Sequence, residues 1–341
     1  MADAELATKA PESDAMEVQG EPSVVSSADS KAQTGASMGE HCVTDRPAPD
    51  NRQPSGEMSK MGDVDVYISK PADYPKTPAK LLLLLTAGTG VHSVNNQIQA
   101  DMFAAEGFVV IMPDQFKGDP APSSNKTTMP SSPSSPGEPP QSPSILERIK
   151  LGAAETAKSF LVDMWLARQT PEKVLPILLQ VIETCKDEYA DAVAHGEGIY
   201  SVGYCFGGKY VFMLAGEHPD PVIQGQAAKD EEEGMIKKGP LIKTGAVAHA
   251  TMVTRDDLKA VRMPLTMVCV GKSHGQNDPL FPDEVLEIGR KHLAASSIEH
   301  EIKIYPEVPH GFAVYGDYDS PAIKRAQEAA FQQMLNWLKS H

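Results

Sequence analysis

Seven apolar runs of strand length recur between residues 63 and 307, and helical periodicity fills most of the gaps between them. The runs are DVDVYIS (63–69), KLLLLLT (80–86), GFVVIMP (107–113), GIYSVGY (198–204), GAVAHAT (245–251), PLTMVCVG (264–271) and EIKIYPE (301–307). Helical patterns cover 94–106, about 145–168, about 171–193, 208–217, about 283–296 and the C-terminal SPAIKRAQEAAFQQMLNWLKS. In the last of these Pro321 follows Ser320, a first-turn proline behind an N-cap residue. A strand as uniformly aliphatic as LLLLL must be covered on both faces, and strand–helix–strand crossovers supply that cover. The expected fold class is therefore α/β, a mostly parallel sheet with helices on both faces. The same LLLLL run is far shorter than the ~20 residues that cross a bilayer, so it is read as a buried strand and not a membrane span.

Two segments fall outside this pattern. Residues 1–58 are rich in Ser, Ala, Pro, Asp and Glu and poor in aromatic residues, so they bury too little apolar surface to offset the entropy of ordering. They are expected to form a disordered acidic leader to a folded domain over 59–341. Within that domain, 119–144 is dense in Pro and Ser and is expected to be an extended surface insertion. It follows the 107–113 strand, so it leaves the sheet on the edge where ligands bind in such folds.

The formal net charge of −15 argues against nucleic acid or an anionic membrane as partner, since both need a basic footprint. A small-molecule substrate is expected instead. The first residues lack a basic region followed by an apolar core, which points to a cytoplasmic protein with reduced thiols. Cys42, Cys185, Cys205 and Cys269 lie far apart and show no metal-ligand spacing, so no metal site is expected. With no heptad seam, a monomer is expected.

Of the four thiols, Cys205 stands apart. A free cysteine is most often a small buried hydrophobe, which is the reading given to Cys185 in a helical pattern and to Cys269 in a strand. Cys205 instead sits in GYCFGG (203–208), between a strand that ends at Tyr204 and a helix that opens near Gly208. A nucleophile on a sharp strand-to-helix turn needs small residues two before and two after it, here Gly203 and Gly207. The helix N-terminus behind it favours thiolate, the nucleophilic form.

Such a nucleophile needs a base and an orienting carboxylate, which in α/β-hydrolases follow it in the order acid, then histidine. His310, in the Pro- and Gly-bounded loop after the 301–307 strand, is the best base, with His92 and His249 as rivals. Asp278, after the 264–271 strand, is the chosen acid, with Asp256 and Asp257 as the weaker alternative. Asp283 is read as a helix N-cap. The oxyanion needs two N–H donors, assigned to Phe206 and to Gly88 in the TAGTG loop (86–90). His249 and Tyr204 are placed in the substrate-binding wall. The G-T-G of that loop is no dinucleotide fingerprint, because the full G-x-G-x-x-G and its later acid are missing.

Taken together, LLLLLTAGTGVHSVNNQIQADMFAAEGFVVIMPDQFKGD, GYCFGGKY, GAVAHA, the aspartate of GQNDPLFP and PHGF resemble the dienelactone hydrolase family, particularly its fungal branch. The resemblance implies an α/β-hydrolase fold and a Cys205, Asp278, His310 triad that hydrolyses a lactone or other small ester through an acyl-enzyme. It implies no metal or organic cofactor. Bacterial members carry a glutamate in the loop after the early strand, where Ala87 or a neighbour stands here, and bind a substrate carboxylate with arginines that have no evident counterpart. Lys209, near in sequence, sits in the elbow helix. The alternative from another class is a non-catalytic α/β-hydrolase scaffold that binds a ligand or protein; redox sensing would need a resolving cysteine, and none is near Cys205 in sequence.

Overall fold

A computed structural model describes residues 43–122, 160–219, 237–273 and 277–341, the side chains of 218–219 and 237–238 excepted, all within the compact unit Gly35–His341. Most of the expected leader (1–42), most of the Pro/Ser insertion (123–144) and His274 lie outside the described residues.

The strands are β1 (Glu57–Met61), β2 (Val64–Ser69), β3 (Lys80–Leu85), β4 (Phe108–Pro113), β5 (Ile199–Tyr204), β6 (His218–Pro219), β7 (Lys237–Lys238), β8 (Thr244–Ala248), β9 (Leu265–Val270) and β10 (His300–Tyr305). The helices are α1 (Val94–Ala105), α2 (160–168), α3 (Pro171–Glu188), α4 (Ala190–His195), α5 (Phe206–Leu214), α6 (Arg255–Ala260), α7 (Asp283–Ala295) and α8 (Pro321–Ser340). Eight strands form one sheet in the order β1-β2-β4-β3-β5-β8-β9-β10, while β6 and β7 pair separately. The pairs β1–β2 and β2–β4 are antiparallel and the other five are parallel. All seven runs read from the sequence are strands of this sheet; β1 completes it at one edge.

Burial follows position. Leu81–Leu85 in central β3 are wholly buried, whereas β10 at the edge alternates between exposed and covered positions. Helices cover both faces, as two neighbours in β8 demonstrate. A side chain at Gly245 would run into Val211 of α5, and the next residue back, Thr244, accepts a hydrogen bond from the Trp337 indole of α8 at 2.9 Å. Successive residues of a strand point to opposite faces, so α5 and α8 lie on opposite sides of the sheet.

The boundary of the leader needs correction, because residues 43–58 are tied to the folded domain. Val43 is buried and Asp45 accepts the Ser93 hydroxyl (2.5 Å) and the Val94 N–H (2.9 Å) at the start of α1. Arg46 donates to the Asp317 carbonyl (3.0 Å) and lies 3.7 Å over the Tyr318 ring. Asp50 accepts the Tyr315 hydroxyl at 2.6 Å. Low apolar content hid these contacts, which are polar and aromatic on the partner's side. The start of the insertion is likewise packed: Asp119 accepts both Arg168 nitrogens at 2.7 and 2.8 Å, and Ala121 is buried.

Candidate active site

The turn between β5 and α5 carries Cys205 at φ 51° and ψ −113°, a left-handed conformation costly for any residue with a Cβ. Three hydrogen bonds hold it there. The Cys205 N–H donates to the Ala248 carbonyl (3.0 Å), its carbonyl accepts from Thr251 N–H (3.1 Å), and Gly207 N–H donates to the Thr86 carbonyl (3.0 Å). The turn closes because the residues on either side lack side chains. A Cβ at Gly203 would stand 2.6 Å from the Gly207 carbonyl oxygen and from Val211 Cγ2, and one at Gly207 would collide with the Leu85 carbonyl. Gly203→Ala is therefore expected to lower stability by ~2–3 kcal/mol, since the obstructing atoms are largely backbone, and to lower Tm by several degrees in a thermal melt. An unchanged Tm would mean that the turn is not this tight.

His310, in the loop after β10, places Nε2 3.4 Å from Cys205 Sγ and Nδ1 2.7 Å from Asp278 Oδ2. Asp278, in the loop after β9, receives the Leu280 N–H on its other oxygen at 3.0 Å. All three side chains are buried. Burial pulls the His310 imidazole toward its neutral form, but the charge on Cys205 and the hydrogen bond to Asp278 outweigh it and raise its pKa to about 10. The raised value favours a protonated imidazole facing the Cys205 sulfur.

The remaining candidates separate clearly. His92 is exposed, and Asp257 forms a capping box with Thr254 at the start of α6, which removes the alternative acid. Asp283 is the first residue of α7, behind Pro282 as N-cap, one position later than expected. Phe206 opens α5, where first-turn N–H groups have no intrahelical acceptor. Gly88 lies in the loop leaving β3, its carbonyl accepting from Ala121 N–H at 2.8 Å. Lys209 is turned to the β8 exit, donating to the Met252 carbonyl at 3.0 Å. Cys185 and Cys269 are buried, and burial pushes both thiols up to about 12.

His249 lies just past the end of β8 at φ 39°, 1% exposed, with its ring 5.1 Å from that of His310 and 6.0 Å from that of Tyr204. Neither of its nitrogens has a partner at full hydrogen-bond geometry, although Cys205 lies near enough to act on the ring both as a weak hydrogen-bonding partner and by charge. Burial first, and then the facing His310, lower the imidazole below its ordinary range against the upward pull of Cys205 and Asp278. Sequence reasoning missed Thr86, Gln115 and Thr251, all buried at the ends of β3, β4 and β8. Their only signal was position, immediately after a strand on the ligand edge.

A sheet of this order, with a cysteine on the β5–α5 turn and a histidine and carboxylate behind it, is the architecture of an α/β-hydrolase. The model of the dienelactone hydrolase family matches residues 64–228 and 234–341, and the chain belongs to that family of carboxylic ester hydrolases. Hydrolase pyvD of Aspergillus violaceofuscus is 30% identical over 286 residues, spanning 84% of this chain and 90% of that protein. Hydrolase tropI of Talaromyces stipitatus is 30% identical over 289 residues, 84% and 91% respectively. Among solved structures, a Klebsiella pneumoniae chain aligns with TM-score 0.56 at 16% identity over 84% of this chain and 99% of its own. Thermogutta terrifontis esterase 2 phosphorylated by paraoxon aligns at 0.51 and 13% identity over 85% and 97%. At such identities the structural likeness is one of fold. Among the described residues no helix is long and apolar enough to cross a membrane, and no cluster of His, Cys, Asp and Glu has the spacing to hold a metal.

Proposed function

We propose that this hydrolase cleaves a small ester or lactone through a thioester on Cys205, with His310 as acid and base and Asp278 as its orienting partner. One observation carries the reading: a single imidazole reaches the Cys205 sulfur at 3.4 Å with one nitrogen and a buried carboxylate at 2.7 Å with the other. A ligand-binding scaffold has no need of that alignment.

In the proposed cycle the thiolate attacks the ester carbonyl carbon, forming a C–S bond while the carbonyl oxygen takes the negative charge. The N–H groups of Phe206 and Gly88 receive that oxyanion. Its collapse breaks the C–O bond, and the leaving oxygen takes the proton from His310 Nε2. In a lactone the alcohol so released stays tethered to the acyl group. Water then attacks the thioester as His310 removes its proton, and departure of the acid restores thiolate and imidazolium. Asp278 keeps the imidazole oriented throughout and exchanges no proton. A mechanism that depends on a free thiolate fits a reducing compartment, and a cytoplasmic setting is part of the proposal.

The test is a rapid-mixing assay with p-nitrophenyl acetate followed by mass spectrometry of the quenched protein. The expected result is a burst of nitrophenol matched by one acetyl group on the peptide containing Cys205, with both lost in Cys205→Ala. Nitrophenol release by Cys205→Ala at the wild-type rate would reject the thioester.

A further inference from the structure

Six of the twelve buried side-chain atoms left without partners among the described residues lie around the reacting groups. At the C-terminal ends of β3, β4, β5 and β8 they are Thr86 Oγ1, Gln115 Oε1, Tyr204 Oη, both ring nitrogens of His249 and Thr251 Oγ1, on residues no more than 1% exposed. In protein interiors a polar group nearly always finds a partner, because an unmet donor or acceptor costs ~1–3 kcal/mol. Each of these residues is built into the site. Thr251 is tied through its N–H to the Cys205 carbonyl, the Thr86 carbonyl holds the N–H of Gly207, and the Gln115 amide donates to the Thr86 carbonyl at 3.2 Å. Tyr204 precedes the nucleophile, and the His249 ring stands between those of Tyr204 and His310.

All of these groups are neutral. Burial raises the Tyr204 phenol and keeps it protonated, and the His249 imidazole carries one N–H donor and one bare nitrogen acceptor. The cation nearest the nucleophile in sequence, Lys209, is engaged at the β8 exit and lies within 3.8 Å of Asp257. A substrate carboxylate placed here would face Asp278 and the thiolate, and the cationic donor beside them, His310, is already engaged by both. A hydroxyl group, which both donates and accepts, matches an imidazole whose nitrogens have no partner stronger than the Cys205 sulfur.

We propose that His249 is the specificity residue of this site and that the substrates are uncharged esters or lactones with a hydroxyl group next to the scissile carbonyl. The inference rests on the Cys205 reading above, for it is the closeness of the His249 ring to His310 and Cys205 that sets the hydroxyl beside the reacting carbon. Tyr204 and Thr251 complete the polar wall around it.

Three p-nitrophenyl esters test this: the acetate, the hydroxyacetate and the half-ester of succinate, each kcat/KM divided by the ester's hydroxide-catalysed rate constant to remove intrinsic reactivity. Wild type should favour hydroxyacetate over acetate by about tenfold, the discrimination expected of one well-placed hydrogen bond, and should not favour the succinate half-ester. His249→Phe should abolish that preference chiefly through KM, and His249→Gln, which keeps a donor and an acceptor, should retain part of it. A Phe substitution that slows acetate and hydroxyacetate equally would overturn the proposal, as would a wild-type preference for the carboxylated ester. If the Phe variant fails to fold, the Gln variant decides, an unaltered preference overturning the proposal. Cys205→Ala separates the two readings. Turnover that survives it sinks the thioester, while the hydroxyl preference and its dependence on His249 still decide the recognition.

Discussion

His310→Ala is expected to lower kcat/KM for p-nitrophenyl acetate by about 10⁴-fold, or ~5.5 kcal/mol of transition-state stabilisation. In the proposed cycle the imidazole holds the thiolate as its ion-pair partner, protonates the leaving oxygen and activates the water, so one substitution removes three contributions. Cys205→Ala should cost about as much, and the double variant little more than either, because neither group works without the other. Asp278→Asn should cost a comparable ~10⁴-fold, since the amide can still accept the Leu280 N–H but loses both the charge that steadies the imidazolium and the hold on its tautomer. Steady-state kinetics on the four proteins decide the matter. If the single losses multiply in the double variant, Cys205 and His310 act independently, and the reading of them as one device fails.

How much of this could be read from the sequence depended on how local the cause was. The elbow was legible because its signature lies within six residues, the glycines at 203 and 207 around Cys205, even though the contacts that demand them include Val211 and the distant Leu85 carbonyl. Asp278 and His310 were picked out by a weaker rule, that loops leaving parallel strands converge, which put them after β9 and β10 without knowledge of their distance from sulfur. What stayed hidden depends on partners far away in the chain. Asp45, Arg46 and Asp50 look like solvated charges in a polar leader, and only the fold brings Ser93, Tyr318 and Tyr315 to them. The extent of β8 was overread for a related reason. The run to 251 is apolar enough for a strand, yet the chain breaks from the sheet at His249 to wrap Cys205, which periodicity does not register. The unmet polar atoms of Thr86, Gln115 and Thr251 are invisible to pattern altogether, because satisfaction of a hydrogen bond is a property of the packed state.

The acylation step should keep nearly its full rate at pH 6, where an ordinary thiol with pKa ~8.5 is only a fraction of a per cent thiolate. The sign follows from His310. Its pKa is raised to about 10, so the proton that pairs with the thiolate is present at every lower pH in reach and is lost only as pH climbs through that value. Across roughly pH 6 to 9 the burst rate constant should therefore be nearly flat. In His310→Ala the partner charge is gone, and what remains to ionise Cys205 is the N-terminus of α5, opposed by burial. The residual acylation rate of that variant should rise steeply with pH, so that the wild-type advantage at pH 6 exceeds that at pH 9 by about two orders of magnitude. Rapid-mixing burst measurements on both proteins across this range provide the test. A wild-type burst rate that itself climbs tenfold per pH unit up to 8.5 would show the resting pair to be thiol and neutral imidazole, with His310 acting as a base only once the ester is bound. The distance of 3.4 Å between sulfur and nitrogen would serve either state. It is the carboxylate 2.7 Å behind the imidazole that tips the balance toward the charged one, against the pull of burial.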